Sequence, residues 1–258
     1  NDMQYTVHES VKPIENYNNM SKDELLAVIR EKGLVGMGGA GFPTFVKLNP
    51  KQKIQYLIIN GAECEPYITS DHRRMIENTD EVIYGIKIAM KVLGLDKAYI
   101  GVEENKLDCA KALEQSLVND GSIIIKRLKT KYPQGGEKTL VKAALNREIP
   151  AGKLPADCGC VIDNVGTLVA ISDAFRLGKP LIDRSFTVSG LACKNPCNLT
   201  VPVGTLVGDL IPEVIQLQEG VAKLISGGPM MGFAMANLDV PVQKSNNALT
   251  LLAADDVE

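Results

Sequence analysis

The chain has 258 residues, of which 45% are hydrophobic and 23% are charged, and its formal net charge is −3. This composition is typical of a globular protein with one large domain or two modest ones, and it disfavours a nucleic-acid partner. No run of about eighteen uncharged apolar residues occurs, because Lys87 and Lys91 interrupt the most hydrophobic predicted helix, 83–93. We therefore expect no direct insertion into a membrane.

The first clear pattern is a helix followed by a glycine-rich loop. Ser21 and Glu24 match a capping box, and the apolar residues after them predict a helix that ends at Gly33. Five glycines and an alanine then fall within positions 33–41. Such a stretch leaves backbone N–H groups uncovered and reaches positive φ without strain, which is typical of a phosphate-binding loop.

The same loop matches the dinucleotide-binding pattern, with Gly36, Gly38 and Gly41 at the right spacing. That pattern is informative only between a strand and a following helix. Here a helix comes before the loop, and the apolar run 54–59 predicts a buried strand after it. A standard nicotinamide-binding Rossmann unit is therefore disfavoured, while an ordinary glycine-rich turn leaves Lys47 and the later carboxylates unexplained.

The middle of the chain alternates strand-like and helical patterns, which predicts an α/β sandwich with a largely parallel sheet. The predicted strands are 54–59, 98–102 and 123–128, and the predicted helices are 81–93, 106–118, 137–145 and 165–177. Short β-rich pieces follow at 185–189, 199–203 and 222–225. We place a domain boundary between residues 182 and 183, giving domains 1–182 and 183–258.

Several motifs in order resemble one known family, and together they cover residues from about 21 to 252. They are Gly36–Thr44 with Lys47, Asn60–Pro66, Lys131–Lys138, Pro150–Asp157, Asp163–Thr167, Asn198–Leu199 and Gly227–Phe233. This set resembles the flavin- and NADH-binding domain of the RnfC family, which belongs to the Rnf electron transport complex. That domain is in turn similar to the flavoprotein subunit of respiratory complex I.

The resemblance implies a Rossmann-like α/β sandwich with a mostly parallel sheet, followed by a small β-grasp domain of the SLBB type. It implies an FMN-dependent oxidoreductase module that exchanges hydride with NAD(H) and passes single electrons to iron–sulfur clusters. The partners would be other subunits of a membrane complex and, indirectly, ferredoxin, on the cytoplasmic inner face of the cell membrane. The chain begins at Asn1 without a leader, so we interpret it as an excised piece that lacks the family's N-terminal domain and 4Fe-4S segment.

The resemblance also implies the site residues. The FMN-binding positions are Gly36, Gly38, Gly39, Ala40, Gly41, Lys47, Asn60, Gly136, Glu137, Asn164 and Thr167. The dinucleotide-binding positions are Phe42, Glu63, Glu65 and Lys138. Carboxylates accept bonds from ribose hydroxyls and repel a 2′-phosphate, which favours NAD(H) over NADP(H). This chain differs from the complex I flavoprotein at three motif positions, where it has Ala62, Lys138 and Met37. The way in which complex I holds the nicotinamide therefore does not carry over directly.

Each position also has a structural alternative. Asn60 is equally typical of a strand-end turn, Lys47 of a solvated lysine, Phe42 of a core residue and Asn164 of a helix N-cap. Glu137 and Lys138 fit the first turn of a helix. No catalytic side chain or metal ligand is expected, although Cys158, Cys160, Cys193 and Cys197 could in principle meet as four thiolates. Cys64 is expected near the flavin.

Three functional alternatives remain open at this point. Cobalamin reductases and proline-reductase-linked electron carriers share the Gly-Gly-Ala-Gly-Phe-Pro-Thr and Asn-Gly-Ala-Glu-Cys-Glu-Pro segments. A non-catalytic docking module with an empty flavin site is a third possibility.

Overall fold

The computed structural model describes residues 8–9 and 11–257. The helices are α1 (Lys22–Glu31), α2 (Thr44–Lys47), α3 (Ser70–Glu77), α4 (Thr79–Leu93), α5 (Leu107–Ser116), α6 (Glu137–Leu145) and α7 (Val165–Arg176). The strands are β1 (Tyr56–Gly61), β2 (Ala98–Glu103), β3 (Ile123–Leu128), β4 (Cys160–Asn164), β5 (Asp183–Ser189), β6 (Cys197–Pro202), β7 (Val221–Ser226), β8 (Phe233–Ala234) and β9 (Ala248–Ala253).

The first four strands form a parallel sheet in the order β3-β2-β1-β4. Side chains of β1 alternate between its two faces: Leu57 and Ile59 enter the large core beneath α1, α4 and α7. Ile58 enters a smaller core with Leu140 and Val141 of α6. This period-two burial on both faces is typical of a parallel sheet covered by helices on each side.

Two of the covering helices pack very closely. A side chain at Gly85 of α4 would overlap the backbone of Leu168 in α7, so only glycine fits at this crossing. The N-terminus of α1 has the predicted capping box, in which the Ser21 hydroxyl accepts the N–H of Glu24 and the Glu24 carboxylate accepts the N–H of Ser21. Gly33, with φ of +65°, follows the C-cap residue Lys32, so the helix ends at this glycine as predicted.

A second, mixed sheet follows from Asp183 onward, in the order β6-β5-β9-β7-β8. β5 and β9 are parallel and the other neighbours are antiparallel. Its core is separate from the first and contains Phe186, Val188 and Leu251. The predicted fold class is confirmed: a Rossmann-like α/β part is followed by a smaller β part. The division into domains at residue 182 stays a prediction.

The predicted elements are mostly present, with differences at their ends. The strand predicted at 54–59 runs from Tyr56 to Gly61, because the chain turns at Lys51 and Gln52 before it joins the sheet. A single helical turn, α2, lies between the glycine loop and β1. The helix α3 and the strands β4, β8 and β9 were not predicted.

Candidate functional site

The site lies where the order of successive strands in the parallel sheet reverses. The connections from β1 to β2 to β3 move outward on one side of β1, whereas β4 lies on the other side. The boundary between β1 and β4 is therefore the topological switch point, whose carboxyl edge is the usual ligand site of an open α/β sheet. Asn60 and Asn164 are register partners at this edge.

The glycine loop lies against the same edge. Its ends are tied by bonds from Gly36 N to the Phe42 carbonyl at 2.8 Å and from Gly41 N to the Gly36 carbonyl at 3.2 Å. Gly39 has φ of +110°, a backbone conformation that residues other than glycine rarely adopt. A Cβ atom at Gly38 would lie 3.4 Å from Cβ of Asn164, so the loop passes close to the end of β4.

The loop is held by the start of α7. The N–H of Met37 donates to the Thr167 hydroxyl at 3.0 Å, and the Asn164 side chain caps α7 by accepting the N–H of Gly166 at 2.8 Å. Thr167 is fully buried and lies outside the cavity lining, so its link to the loop is the bond to Met37. The N-cap alternative for Asn164 is confirmed.

Three consecutive backbone donors of the loop are free. In the part of the chain that the structure describes, the N–H groups of Gly38, Gly39 and Ala40 donate to no protein acceptor. All three residues line a cavity. Consecutive unpaired N–H groups in a glycine loop beside the N-terminus of a twelve-residue helix are typical of an anion-binding site.

The cavity has a volume of about 630 Å³ and lies between the α/β part and the β part. The predicted residues in its lining are Gly38, Gly39, Ala40, Asn60, Glu63, Glu65, Gly136 and Asn164. The predicted residues outside the lining are Gly36, Gly41, Phe42, Lys47, Glu137, Lys138 and Thr167. Phe42 is half exposed and Lys138 is exposed, so neither is a core residue.

Asn60 organises two segments of the lining. Its Nδ2 donates to the carbonyl of Gly135 at 2.8 Å, and its Oδ1 accepts the N–H of Ala62 at 3.2 Å. The N–H of Gly135 in turn donates to Sγ of Cys64 at 3.3 Å. A Cβ atom at Gly135 would lie 3.4 Å from both Asn60 and Cys64, so the chain at Gly135 passes close to both side chains. Cys64 lines the cavity, whereas its possible role towards a flavin stays a prediction.

Lys47 lies beside two carboxylates just outside the cavity. Its Nζ is 3.4 Å from Oε1 of Glu137, in a half-exposed ion pair. Asp163 is fully buried, and burial raises its pKa to about 6 although the charge of Lys47 opposes the shift. One Asp163 oxygen, Oδ2, has no hydrogen-bond partner. Asp163 belongs to the Asp163–Thr167 motif but was not among the predicted site residues.

Glu63 has a structural role that the sequence did not indicate. Its carboxylate accepts the N–H groups of Asp71 at 2.7 Å and His72 at 3.0 Å, and so caps the N-terminus of α3. Burial, followed by the nearby Asp71 carboxylate, raises the pKa of Glu63 to about 8, although those N–H groups and Lys106 oppose the shift. With both oxygens bonded, Glu63 is less available to a ribose than its position in the motif implies.

Glu65 bridges the two parts of the molecule. Its Oε1 accepts the N–H groups of Met230 at 2.8 Å and Met231 at 3.0 Å, in the turn between β7 and β8. A side chain at Gly228 would overlap that of Glu65, which explains a glycine there. The β part therefore supplies a wall of the cavity that sequence reasoning missed. The wall residues include Ser226, Gly227, Gly228, Met231, Phe233, Gln243, Ser245, Asn246 and Asn247.

The cysteines form no shared site. Cys160 packs in the core beside α6, with Cys158 packed against that core, whereas Cys193 and Cys197 belong to the core of the β part, so the four-thiolate alternative is wrong. Among the described residues, His72, Asp108 and Cys109 alone are grouped closely enough to share a metal ion. There the imidazole Nε2 lies 2.9 Å from Asp108, and burial raises the pKa of the Cys109 thiol to about 12.

Residues 29–173 match a family model described as the Nuo51 FMN-binding domain. The chain belongs to this family. It is 47% identical over 251 residues to the C subunit of the proton-translocating ferredoxin:NAD(+) oxidoreductase complex of Clostridium ljungdahlii, covering 96% of the chain and 55% of that relative. It is 40% identical over 255 residues to the Na(+)-translocating counterpart of Acetobacterium woodii, covering 98% of the chain and 58% of that relative.

A third relative is the C subunit of the ion-translocating oxidoreductase complex of Pseudomonas aeruginosa, at 42% identity over 248 residues, covering 95% of the chain and 32% of the relative. The RnfC-type resemblance is thus confirmed. The chain spans about half the length, or less, of these curated relatives. A crystal structure of an NAD+-reducing [NiFe]-hydrogenase has the same fold, with a TM-score of 0.76 at 22% identity over 91% of this chain and 47% of that chain.

No helix in residues 8–9 and 11–257 combines the length and apolar composition that crossing a bilayer requires.

Proposed function

We propose that this chain binds FMN in the cavity at the switch point and exchanges hydride with NAD(H), as the flavin-bearing part of an ion-translocating ferredoxin:NAD+ oxidoreductase complex. The observation that carries the proposal is that Gly38, Gly39 and Ala40 line the cavity beside the start of α7 and that their N–H groups have no acceptor among the described residues. Such an arrangement suits a phosphate monoester.

The residues present fit FMN in size and in polarity. A cavity of about 630 Å³ lies within the range of roughly 300–1,000 Å³ that is usual for small-molecule sites. It offers backbone donors at one end and the amides of Asn60 and Asn164 at the sheet edge. The single glycine loop would hold one phosphate, which favours FMN over FAD because no second phosphate-binding loop occurs in the motif set.

When bound, FMN supplies the chemistry of taking up a hydride from a nicotinamide and releasing electrons one at a time. The residues of the chain bind the flavin, orient it and cover it. The glycine loop holds the phosphate, Lys47 neutralises it from beside Glu137, and Asn60 fixes the segments around Gly135 and Cys64. The wall from the β part covers one side of the cavity.

We assign the ribose contact of NAD(H) to Glu65 in preference to Glu63, because the Glu63 carboxylate is already bonded to two N–H groups of α3. Among the described residues, the Glu65 carboxylate is bonded only through Oε1, to the N–H groups of Met230 and Met231, so its other oxygen is available to hydroxyl groups. Phe42 and Lys138, both outside the cavity lining, are proposed to contact the adenosine end of a dinucleotide that extends beyond the cavity.

The names of the relatives, which are subunits of ferredoxin:NAD(+) oxidoreductase complexes, support a role within a larger complex. We propose that the chain works with other subunits of a membrane complex on its cytoplasmic face, and that electrons pass to 4Fe-4S clusters in a segment outside this chain and indirectly to ferredoxin.

The test is a titration of the purified chain with FMN, FAD and riboflavin, followed by flavin fluorescence. We expect FMN to bind more tightly than either of the other two and to raise the melting temperature. Mass spectrometry of any flavin released from the purified protein should identify FMN. Recovery of FAD, or no binding of FMN, would contradict the proposal and favour a docking module with an empty flavin site.

A further inference from the structure

A buried arginine from the β part lies directly behind the glycine loop. Arg184, the second residue of β5, is only 2% exposed. Its Nη2 donates to the carbonyl of Met37 at 2.7 Å, and its Nε donates to the carbonyl of Asn246. Met37 precedes Gly38 in the loop and Asn246 lines the cavity, so one side chain joins two walls of the same site.

Arg184 also reaches the start of α7. A Cβ atom at Gly166 would lie 3.6 Å from Nη1 of Arg184. Gly166 is the residue whose N–H is capped by Asn164, one residue before Thr167. The guanidinium therefore lies among the glycine loop, the first turn of α7 and the segment that contains Asn246.

The charge of Arg184 is not neutralised by an ion pair. Among the ion pairs of the described residues, none includes Arg184. Burial, followed by the charge of Arg74, lowers its pKa to about 9 although Asp71 opposes the shift, so the group remains a cation at neutral pH. Burying a cation with two carbonyl acceptors and no carboxylate partner is costly, and a ligand of opposite charge nearby would offset that cost.

We propose that Arg184 is a positioning residue for the flavin phosphate: from behind the glycine loop it holds the Met37 carbonyl away from the cavity and supplies the positive charge that complements the phosphate on the other side. This rests on the proposed FMN site. The Met37 carbonyl and the Gly38 N–H belong to one trans peptide and point in opposite directions, so the bond to Arg184 turns the Gly38 N–H away from the guanidinium and leaves it for the anion. The β part thereby contributes to cofactor affinity without lining the phosphate position itself.

The experiment compares FMN with riboflavin, which lacks the phosphate, in three variants of the chain. Arg184→Met removes the charge and keeps apolar volume, which buried sites commonly tolerate. Arg184→Gln removes the charge and keeps a donor for the Met37 carbonyl, and Arg184→Lys keeps the charge. Arg127→Gln, which breaks an exposed pair with Glu114, is the matched control. Dissociation constants come from flavin fluorescence, and melting curves report folding.

We expect both uncharged variants to bind FMN about tenfold more weakly, the size of one charge interaction in a partly shielded site, while riboflavin binding is unchanged. Arg184→Lys should recover most of the FMN affinity, and Arg127→Gln should match the wild type. If one uncharged variant does not fold, the other carries the comparison.

An equal loss for FMN and riboflavin in all three variants would mean that Arg184 is merely structural and would overturn the proposal. Unchanged FMN affinity in the uncharged variants would overturn it as well. In either case a wild type that prefers FMN to riboflavin leaves the FMN site itself intact. A wild type that binds neither flavin would contradict the proposed function and this inference together.

Discussion

Asn60 and Asn164 are register partners at the carboxyl ends of β1 and β4, the two strands on either side of the switch point. Both side chains are bonded to the backbone: Asn60 to Gly135 and Ala62, and Asn164 to Gly166. Asn164 also donates to the Asp71 carboxylate at 2.6 Å. The two amides thus fix the cavity edge before any ligand binds, which reduces the entropy lost on binding.

The first prediction concerns Gly39→Ala, with Gly94→Ala as its control. Both glycines have positive φ, +110° and +66°, and a Cβ atom at either would meet nothing within 4 Å. Both substitutions should therefore destabilise the fold through backbone strain, by about 1–2 kcal/mol in the left-handed region. Only Gly39→Ala should abolish FMN binding, because it disturbs the free N–H groups. Equal FMN affinities in the two variants, measured by fluorescence titration, would show that the loop does not bind the cofactor.

The second prediction compares Lys47→Ala with Lys138→Ala. Lys47 lies beside Asp163 and Glu137 just outside the cavity, whereas Lys138 is exposed and has no such neighbours among the ion pairs of the described residues. Loss of a charge-assisted phosphate contact costs about 1.5–3 kcal/mol, which corresponds to about ten- to a hundredfold in affinity. We expect that loss for Lys47→Ala and a small change for Lys138→Ala. If both variants bind FMN equally, Lys47 serves only to neutralise the two carboxylates.

The third prediction is that Glu65→Gln raises the KM for NADH more than it lowers flavin content. Glutamine keeps an oxygen that can accept the N–H groups of Met230 and Met231, so the turn between β7 and β8 should stay in place. The lost negative charge weakens the bonds from ribose hydroxyls to the other carboxylate oxygen. Glu77→Gln, which alters an exposed pair with Arg73, is the control. A proportional loss of FMN in Glu65→Gln would place Glu65 in the flavin site instead.

The fourth prediction concerns stability against pH. The pKa of Glu63 is raised by burial to about 8 and that of Asp163 to about 6, both above their ordinary values of 4.5 and 3.8. Groups with raised folded pKa values hold their protons more tightly when folded, so unfolding releases protons and stability falls as pH rises. We expect the melting temperature of the ligand-free chain to fall between about pH 4 and pH 8.

Two variants separate these contributions. Asp163→Asn should flatten the curve below about pH 6, and Glu63→Gln should flatten it up to about pH 8. The quantity compared is the slope of melting temperature against pH. The melting temperature itself also changes in Glu63→Gln, because this variant loses one acceptor for the N-terminus of α3. A wild-type melting temperature that rises over this range would mean that these carboxylates are ionised and stabilised by their N–H and lysine partners.

The sequence predicted the elements whose patterns are local. α6 and β3 have the predicted bounds, and α1 has its capping box, because apolar spacing and caps are written in neighbouring residues. The polar helix α3 was missed because Met75 is its one fully buried apolar side chain. β9 was missed because its run of apolar residues between two sheet neighbours has no alternation.

The site residues, too, could be predicted only where the pattern that places them is local. Asn60 and Asn164 could be placed because each follows a strand pattern or precedes a helix pattern. The roles of Glu65 and Arg184 could not, because their partners lie 165 and 147 residues away along the chain, in a different sheet or loop. Glu63 was assigned to the ligand because its motif says nothing about α3, whose N-terminus it caps.

In the function proposed above, this chain binds FMN and receives hydride from NADH in the cavity at the switch point. The most direct measurement is anaerobic stopped-flow mixing of the FMN-loaded chain with NADH, followed at the visible absorbance of the flavin. We expect rapid loss of that absorbance with NADH and a much slower loss with NADPH, whose 2′-phosphate Glu65 would repel. No loss of absorbance in a fully loaded sample would contradict it.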